Sequence, residues 1–449
     1  MVIKDPANPE HRLQVPMRPH VTTSTPFSQL VNRGAPAYSA MALNMVMPNF
    51  RNTNTVFARY FMPDFTNIPT SVLGLKYKPV ERKIRPVPTT MPEAARPKRR
   101  FPEDPLLTLS HISQHPSPIG PFGQRLTKDR WEALRLKERG FLWDEEINLA
   151  FHVLMKNERA LAWDDQEKGR FREDYFEPVV VPTIEHEPWT LRNIPIPPGI
   201  RAKVIEFIKE KIASGTYKPS GSSYRSRWFC VPKKNGSFHI VHDLQPLNAV
   251  TIKDAGVPPN VESYAENAAG RAMYSMADLF TGFDHAPVAE ESRDLFTFQT
   301  PLGPHRLTCL PMGWTNSVAI FQGHVTFILQ DELDVAPPYL DDVPILGPRS
   351  RYELQDGTFE TLADNPHIRR FIWEHLNDVN QILHWMLHAG GTFSGHKLFL
   401  CVPEVNIVGH TCNYQGRIPD CSCVSKIEQW PSCQDVSDVC GFLGTCGVV

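Results

Sequence analysis

The sequence predicts an α+β fold behind a proline-rich, largely irregular N-terminal region, and three observations carry that prediction. Between Arg227 and about Gly347, short apolar runs of strand character alternate with helical or loop segments, as expected of a mixed domain. The dipeptide Asn235-Gly236 separates the runs Phe229-Cys230-Val231 and Phe238-His239-Ile240-Val241; a two-residue hairpin turn needs positive φ at both central positions, and Asn-Gly supplies it. The 42 prolines cluster before residue 122 and around residues 178 to 198, where they favour extended connectors over core.

Residues 1–75 show no sustained period and carry no assignment. From Lys76 to Arg100, nine basic residues stand against two acidic ones and are interleaved with five prolines. Residues 76–122 therefore read as a basic, proline-rich linker, either a solvated tether or an arm for nucleic acid. Residues 123–198 form a helical leader and extended connector. A helical pattern begins at Thr127, and after Asp144 the residues Ile147, Phe151, Leu154 and Met155 recur at the spacing of one helix face. The prolines between Pro178 and Pro198 then break any helix. A second amphipathic helix is predicted from Gly199 to Ser214, with Val204, Phe207, Ile208 and Ile212 inward and Gly215 as its stop signal. Strands are predicted at Trp228–Val231, Phe238–Val241, Met273–Ala277, Leu295–Phe298 and Val343–Leu346. Lys233 and Lys234 fall near the tip of the hairpin.

Composition narrows the class. With 41% apolar residues in 449 the chain can bury at least one sizeable core, and a net charge of -2 means that any nucleic-acid surface must be local. Met1 to Glu10 has no apolar stretch suited to secretion, and Ala35 to Met47 is shorter than the roughly 20 residues that span a bilayer. The expectation is an intracellular protein, cytoplasmic or nuclear, with no membrane partner. Seven of the nine cysteines lie in the last 49 residues without any Cys-x-x-Cys pair, which favours reduced thiols over a zinc site.

The candidate chemistry rests on three aspartates in two strand-adjacent settings: Asp278 in Ser275-Met-Ala-Asp-Leu-Phe280, and Asp341 with Asp342 in Tyr339-Leu-Asp-Asp-Val343. Two carboxylates at a tight turn repel one another, so a cation should compensate. Two magnesium ions about 3.5 to 4 Å apart, with manganese as a substitute, are the usual solution for in-line nucleotidyl transfer. A turn with solvated acids is the bland alternative for Tyr-x-Asp-Asp alone.

Further segments in the same order give the pattern its specificity. Tyr224 to Asn248, Tyr274 to Asp284, Leu310-Pro-Met-Gly-Trp-Thr-Asn-Ser-Val-Ala-Ile-Phe-Gln322, Tyr339 to Asp342, Gly391 to Cys401 and Ile407-Val-Gly-His-Thr411 together resemble the reverse transcriptases of gypsy-type long-terminal-repeat retrotransposons, with fungal elements among the similar ones. The resemblance covers about residues 184 to 449. It implies a right-hand polymerase, with fingers and palm over 199–415 and the start of a connection towards RNase H over 416–449, after which the chain is expected to be cut short. It also implies Asp278, Asp341 and Asp342 as catalytic metal ligands. Lys233, Lys234, His239, Phe283, Met312 and Lys397 would meet the nucleotide, Phe283 lying under the incoming sugar, and Val408, Gly409 and His410 would form the primer grip. The implied partners are an RNA or DNA template with its primer and deoxynucleoside triphosphates.

This chain departs from the family at His239, where an arginine that clamps the triphosphate is expected, at Gln245, and at Val318. Two functions of different class follow. One is an RNA-directed DNA polymerase; the other is a silent remnant that binds nucleic acid or protein. The intact aspartates favour the first.

Overall fold

The computed structural model describes residues 2–5, 8–14, 90–232, 238–419 and 421–447. The chain divides into two units, Met1–Pro86 and Val87–Val449. In the first, β1 (Val2–Asp5) and β2 (Asn8–Gln14) pair antiparallel, Val2 opposite Gln14. Lys76 to Arg85 of the basic run lie outside the described residues.

The second unit opens with a segment, residues 90–122, that was expected to be linker and is not. Arg99 Nε donates to His324 Nδ1 at 3.1 Å, Arg100 Nε donates to the Asp174 carbonyl at 2.8 Å, and Lys98 pairs with Glu177 at 3.1 Å. Phe101 stacks on Phe327 with centroids 4.5 Å apart. Proline keeps this segment extended, and an extended chain can lie across a neighbouring surface as readily as it can tether. Its charges meet acceptors far away in sequence, which composition does not reveal.

The leader behaves as its pattern predicts. Thr127 caps α1 (Lys128–Glu132), its hydroxyl accepting the Arg130 amide. In α2 (Asp144–Lys156) Ile147, Phe151 and Leu154 are buried and Met155 is partly so. Glu146 on this helix is fully buried. It accepts the Trp143 amide at 2.8 Å and both Nε and Nη2 of Arg369, at 2.9 and 2.7 Å. Such a pair is tolerable in a core because both carboxylate oxygens, and Nε and Nη2 of the guanidinium, are hydrogen-bonded. β3 (Leu161–Ala162) follows, then α3 (Arg201–Ala213), which buries Val204 and Ile208 and ends before Gly215 at φ +75°.

The fingers and palm come next: β4 (Tyr217–Pro219), and the hairpin β5 (Trp228–Pro232) with β6 (Phe238–His242). Lys233, Lys234 and the Asn-Gly turn lie outside the described residues, as does the side chain of His239, whose backbone pairs with Val231. After α4 (Gln245–Val250) and α5 (Val261–Ala268) the chain enters β7 (Tyr274–Asp278). The strand expected at Leu295–Phe298 is half helix: a 3-10 helix covers Glu290–Phe296, and β8 (Thr297–Thr300) pairs with β9 (Gly303–Leu307). A short apolar run fits either state, and periodicity cannot separate them.

α6 (Ser317–Ile328), β10 (Asp342–Leu346), α7 (Arg370–His388), β11 (Phe393–Ser394) and β12 (Phe399–Val402) complete the palm. Its sheet has the order β10-β7-β12, antiparallel throughout. β13 (Glu404–Ile407), β14 (His410–Asn413) and β15 (Gly416–Pro419) form a second antiparallel sheet, followed by α8 (Cys421–Glu428) and α9 (Val436–Cys446). One core joins leader and palm: Phe151, Phe171 and Phe176 belong to the same cluster as Phe321, Phe371 and Leu383.

Candidate active site

β7 runs through the middle of the palm sheet, and Tyr274 to Ala277 are buried before the strand delivers Asp278 at its end. Asp342 stands directly opposite Asp278 in the β10–β7 ladder. Asp341 is tied to the same end, because its carbonyl accepts the Leu279 amide at 2.8 Å. Segments far apart in sequence thus bring all three predicted aspartates to one end of one sheet.

The Asp-Asp turn is held from behind. Tyr339 and Asp342 exchange backbone hydrogen bonds of 2.8 and 3.0 Å, and Leu340 between them has φ +55°, a conformation that costs a non-glycine residue roughly 1–2 kcal/mol. Gln322 on α6 offsets this. Its Oε1 accepts the Leu340 amide at 2.7 Å and its Nε2 donates to the Pro338 carbonyl at 3.0 Å, so one buried amide clamps both sides of the turn. Nothing local to Gln322 assigns it this task; its place at the end of the Leu310–Gln322 block is the one signal in the sequence.

Behind β7, Ser275 Oγ accepts the Cys401 amide at 3.0 Å and lies 2.7 Å from His375 Nε2. Cys401 has φ +51° within the irregular stretch of β12, so this contact joins the strand of Asp278 to its neighbour and to α7. Burial pushes His375 down to about 3, and it stays neutral.

Lys397 reaches the carboxyl centre from the turn before β12. Its Nζ lies 2.8 Å from each oxygen of Asp278. That turn is braced by the leader: a Cβ on Gly395 would stand 2.1 Å from the Trp163 ring, so only glycine admits the indole, and β11 pairs with β3. Burial, opposed by Lys397, leaves Asp278 above the ordinary carboxylate range. Asp342 is pushed up to about 6, first by desolvation and then by the charges of Asp341 and Asp278.

The remaining predicted residues are spread around this centre. Phe283, in the 3-10 turn Gly282–His285, is half-buried and stacks on Phe321 with centroids 4.7 Å apart. Met312 is exposed. Val408 and Gly409 form the β13–β14 turn with φ of +47° and +84°, and His410 after them is buried. A groove of about 440 Å³ beside the fingers hairpin is lined by Phe229, Val241, Gln245, Asn248 and Gly313, apart from the aspartates.

Residues 231–412 match the family described as reverse transcriptase (RNA-dependent DNA polymerase). The chain carries a reverse transcriptase domain. It is 28% identical over 255 residues to the retrovirus-related Pol polyprotein from transposon 412 of Drosophila melanogaster, covering 55% of this chain and 18% of that protein. To the Pol polyprotein from transposon gypsy of the same organism it is 25% identical over 269 residues, 58% of this chain and 24% of that one. The chain thus spans about a fifth to a quarter of the length of these long-terminal-repeat retrotransposon relatives. The fold matches that of the foamy viral protease-reverse transcriptase in complex with dsDNA, with a TM-score of 0.60 and 20% identity, over 73% of this chain and 63% of that one. Among the described residues, no helix is long and apolar enough to cross a membrane.

The reverse transcriptase domain's carboxyl centre has the chemistry a hard divalent ion requires. Its donors are carboxylate oxygens, and two of the three groups are held above their usual range by burial and mutual repulsion. Among the described residues, no three acidic, histidine or cysteine side chains converge closely enough to enclose an ion as they stand; Lys397 supplies the local positive charge.

Proposed function

We propose that this chain is the RNA-directed DNA polymerase of a long-terminal-repeat retrotransposon, extending a primer on an RNA or DNA template with deoxynucleoside triphosphates. The observation that carries the reading is the convergence of Asp278, Asp341 and Asp342 at one end of the palm sheet of a reverse transcriptase domain. Asp278, Asp341 and Asp342 would hold two magnesium ions, or manganese, which supply activation of the primer 3′-hydroxyl and charge for the triphosphate.

The chain's own residues have separate tasks. The 3′-oxygen attacks the α-phosphorus and pyrophosphate leaves, so the protein must align the two and hold the negative charge. Gln322 keeps the Asp-Asp turn in place. Phe283 lies under the incoming sugar, where its bulk leaves a 2′-hydroxyl neither space nor a polar partner. Lys233, Lys234 and His239 on the fingers hairpin, together with Met312 and Lys397, receive the nucleotide. Val408, Gly409 and His410 position the primer end.

Primer extension on an RNA template with Mg²⁺ tests the reading. The parent chain should extend the primer. Asp341→Asn should abolish synthesis while leaving template-primer binding nearly intact, since phosphate contacts elsewhere dominate affinity. No extension by the parent, or unchanged extension by the variant, would remove the assignment.

A further inference from the structure

We propose that Lys397 is the resident counter-cation of the carboxyl centre, and that a divalent ion enters by displacing it from Asp278. This inference rests on the metal reading given under the proposed function. Lys397 Nζ sits 2.8 Å from both oxygens of Asp278, so the ammonium covers the face of the carboxylate that a metal would use. Among the described residues it is the only basic side chain in ion-pair contact with any of the three aspartates.

The two partners differ in freedom. The Lys397 side chain is 61% exposed, whereas that of Asp278 is 13% exposed. The lysine can leave toward water on its flexible stem, and the carboxylate at the end of the central strand cannot follow. The backbone that carries Lys397 is also fixed, by Trp163 against Gly395 and by the β3–β11 pairing. The exchange is therefore a side-chain movement in a rigid frame. An ammonium released from Asp278 remains beside the centre, free for the anionic nucleotide assigned to it above, so metal entry and nucleotide capture draw on one residue in succession.

Two measurements on the full chain without template or nucleotide test the exchange. The first is Mn²⁺ binding, followed by electron paramagnetic resonance, for the parent, Lys397→Met and Lys397→Arg. Lys397→Met should bind Mn²⁺ roughly threefold to tenfold more tightly than the parent, the scale of a partly exposed ion pair, equivalent to about 0.7–1.4 kcal/mol. Lys397→Arg, which keeps the charge, should stay near the parent. The second is acetylation of Lys397 by a limiting amine reagent, read by mass spectrometry. Reactivity should rise roughly threefold as Mg²⁺ is added, and Asp278→Asn should show the raised level without Mg²⁺. Equal Mn²⁺ affinity for parent and Lys397→Met, or Lys397 reactivity indifferent to Mg²⁺, would overturn the exchange and leave the metal site standing. Absence of Mn²⁺ binding in every variant would overturn the exchange together with the metal reading on which it rests.

Discussion

Replacing Gln322 with leucine removes the clamp on the Asp-Asp turn while keeping the side chain's bulk. Three hydrogen bonds go: from the Leu340 amide at 2.7 Å, to the Pro338 carbonyl at 3.0 Å and to Thr326 Oγ1 at 3.1 Å. Each contributes about 0.5–1.5 kcal/mol net, and a buried backbone group left unpaired costs about 1–3 kcal/mol, so the fold should lose roughly 2–3 kcal/mol. The larger effect should fall on chemistry. With Leu340 at φ +55°, the turn relaxes once its support is gone and carries Asp341 and Asp342 with it. A displacement of about 1 Å at a reacting centre costs on the order of 100-fold in rate. Urea denaturation measures the first effect and single-turnover primer extension the second, with nucleotide and Mg²⁺ saturating. A variant that loses stability yet extends at the parent's rate would show that the turn keeps its shape unaided, and the positioning role of Gln322 would fail.

Phe283→Val should admit ribonucleotides more than it harms deoxynucleotides in steady-state incorporation; equal loss for both sugars would return Phe283 to the core beside Phe321. His239→Arg should lower the nucleotide KM and flatten its dependence on pH between roughly 6.5 and 8, because arginine keeps its charge throughout and histidine does not. An unchanged KM would place that residue away from the triphosphate. Asp378 on α7 is raised to about 7, chiefly by burial and then by Glu332 and Glu374. Its pKa in the fold lies above the unfolded value, so its contribution is full below about pH 4 and is lost as pH rises through about 7. Asp378→Asn should therefore be more stable than the parent by roughly 1–3 kcal/mol at pH 8, with the gain shrinking towards pH 4. Urea midpoints that do not diverge with pH would refute this.

Local chemistry made much of this protein legible in its sequence. The helix at Asp144–Lys156, the strand ending at Asp278 and the hairpin of Trp228–Pro232 with Phe238–His242 all follow from patterns complete within about a dozen residues. The three aspartates were legible for the same reason, since each sits in a short motif that needs no distant partner to be recognised. What stayed hidden depends on partners remote in the chain. Arg99 looks like a linker charge until His324 is seen beside it. The contact of Lys397 with Asp278, 119 residues earlier, has no sign in the lysine's own segment. Gln322 is in sequence only the last residue of a motif block, and its role exists only where the Asp-Asp turn folds back onto it.

For the same reason, the physical start of the unit that holds the reverse transcriptase domain lies before its motifs. A boundary at residue 199 follows from the motifs, because the first recognisable one lies beyond it. The packing runs across that boundary. Cutting there would remove β3 from β11 and Trp163 from Gly395, releasing the turn that presents Lys397 to Asp278. It would also take from Arg369 its Glu146 carboxylate and the Phe141 carbonyl, at the start of the helix that carries His375 to Ser275. The cut would expose the faces of Phe371 and Leu383 that share a core with Phe151 and Phe171. Each of these losses falls on an element that positions Asp278 or its neighbours. The leader therefore works as part of the palm, and the unit able to hold the three carboxylates in register begins near Val87.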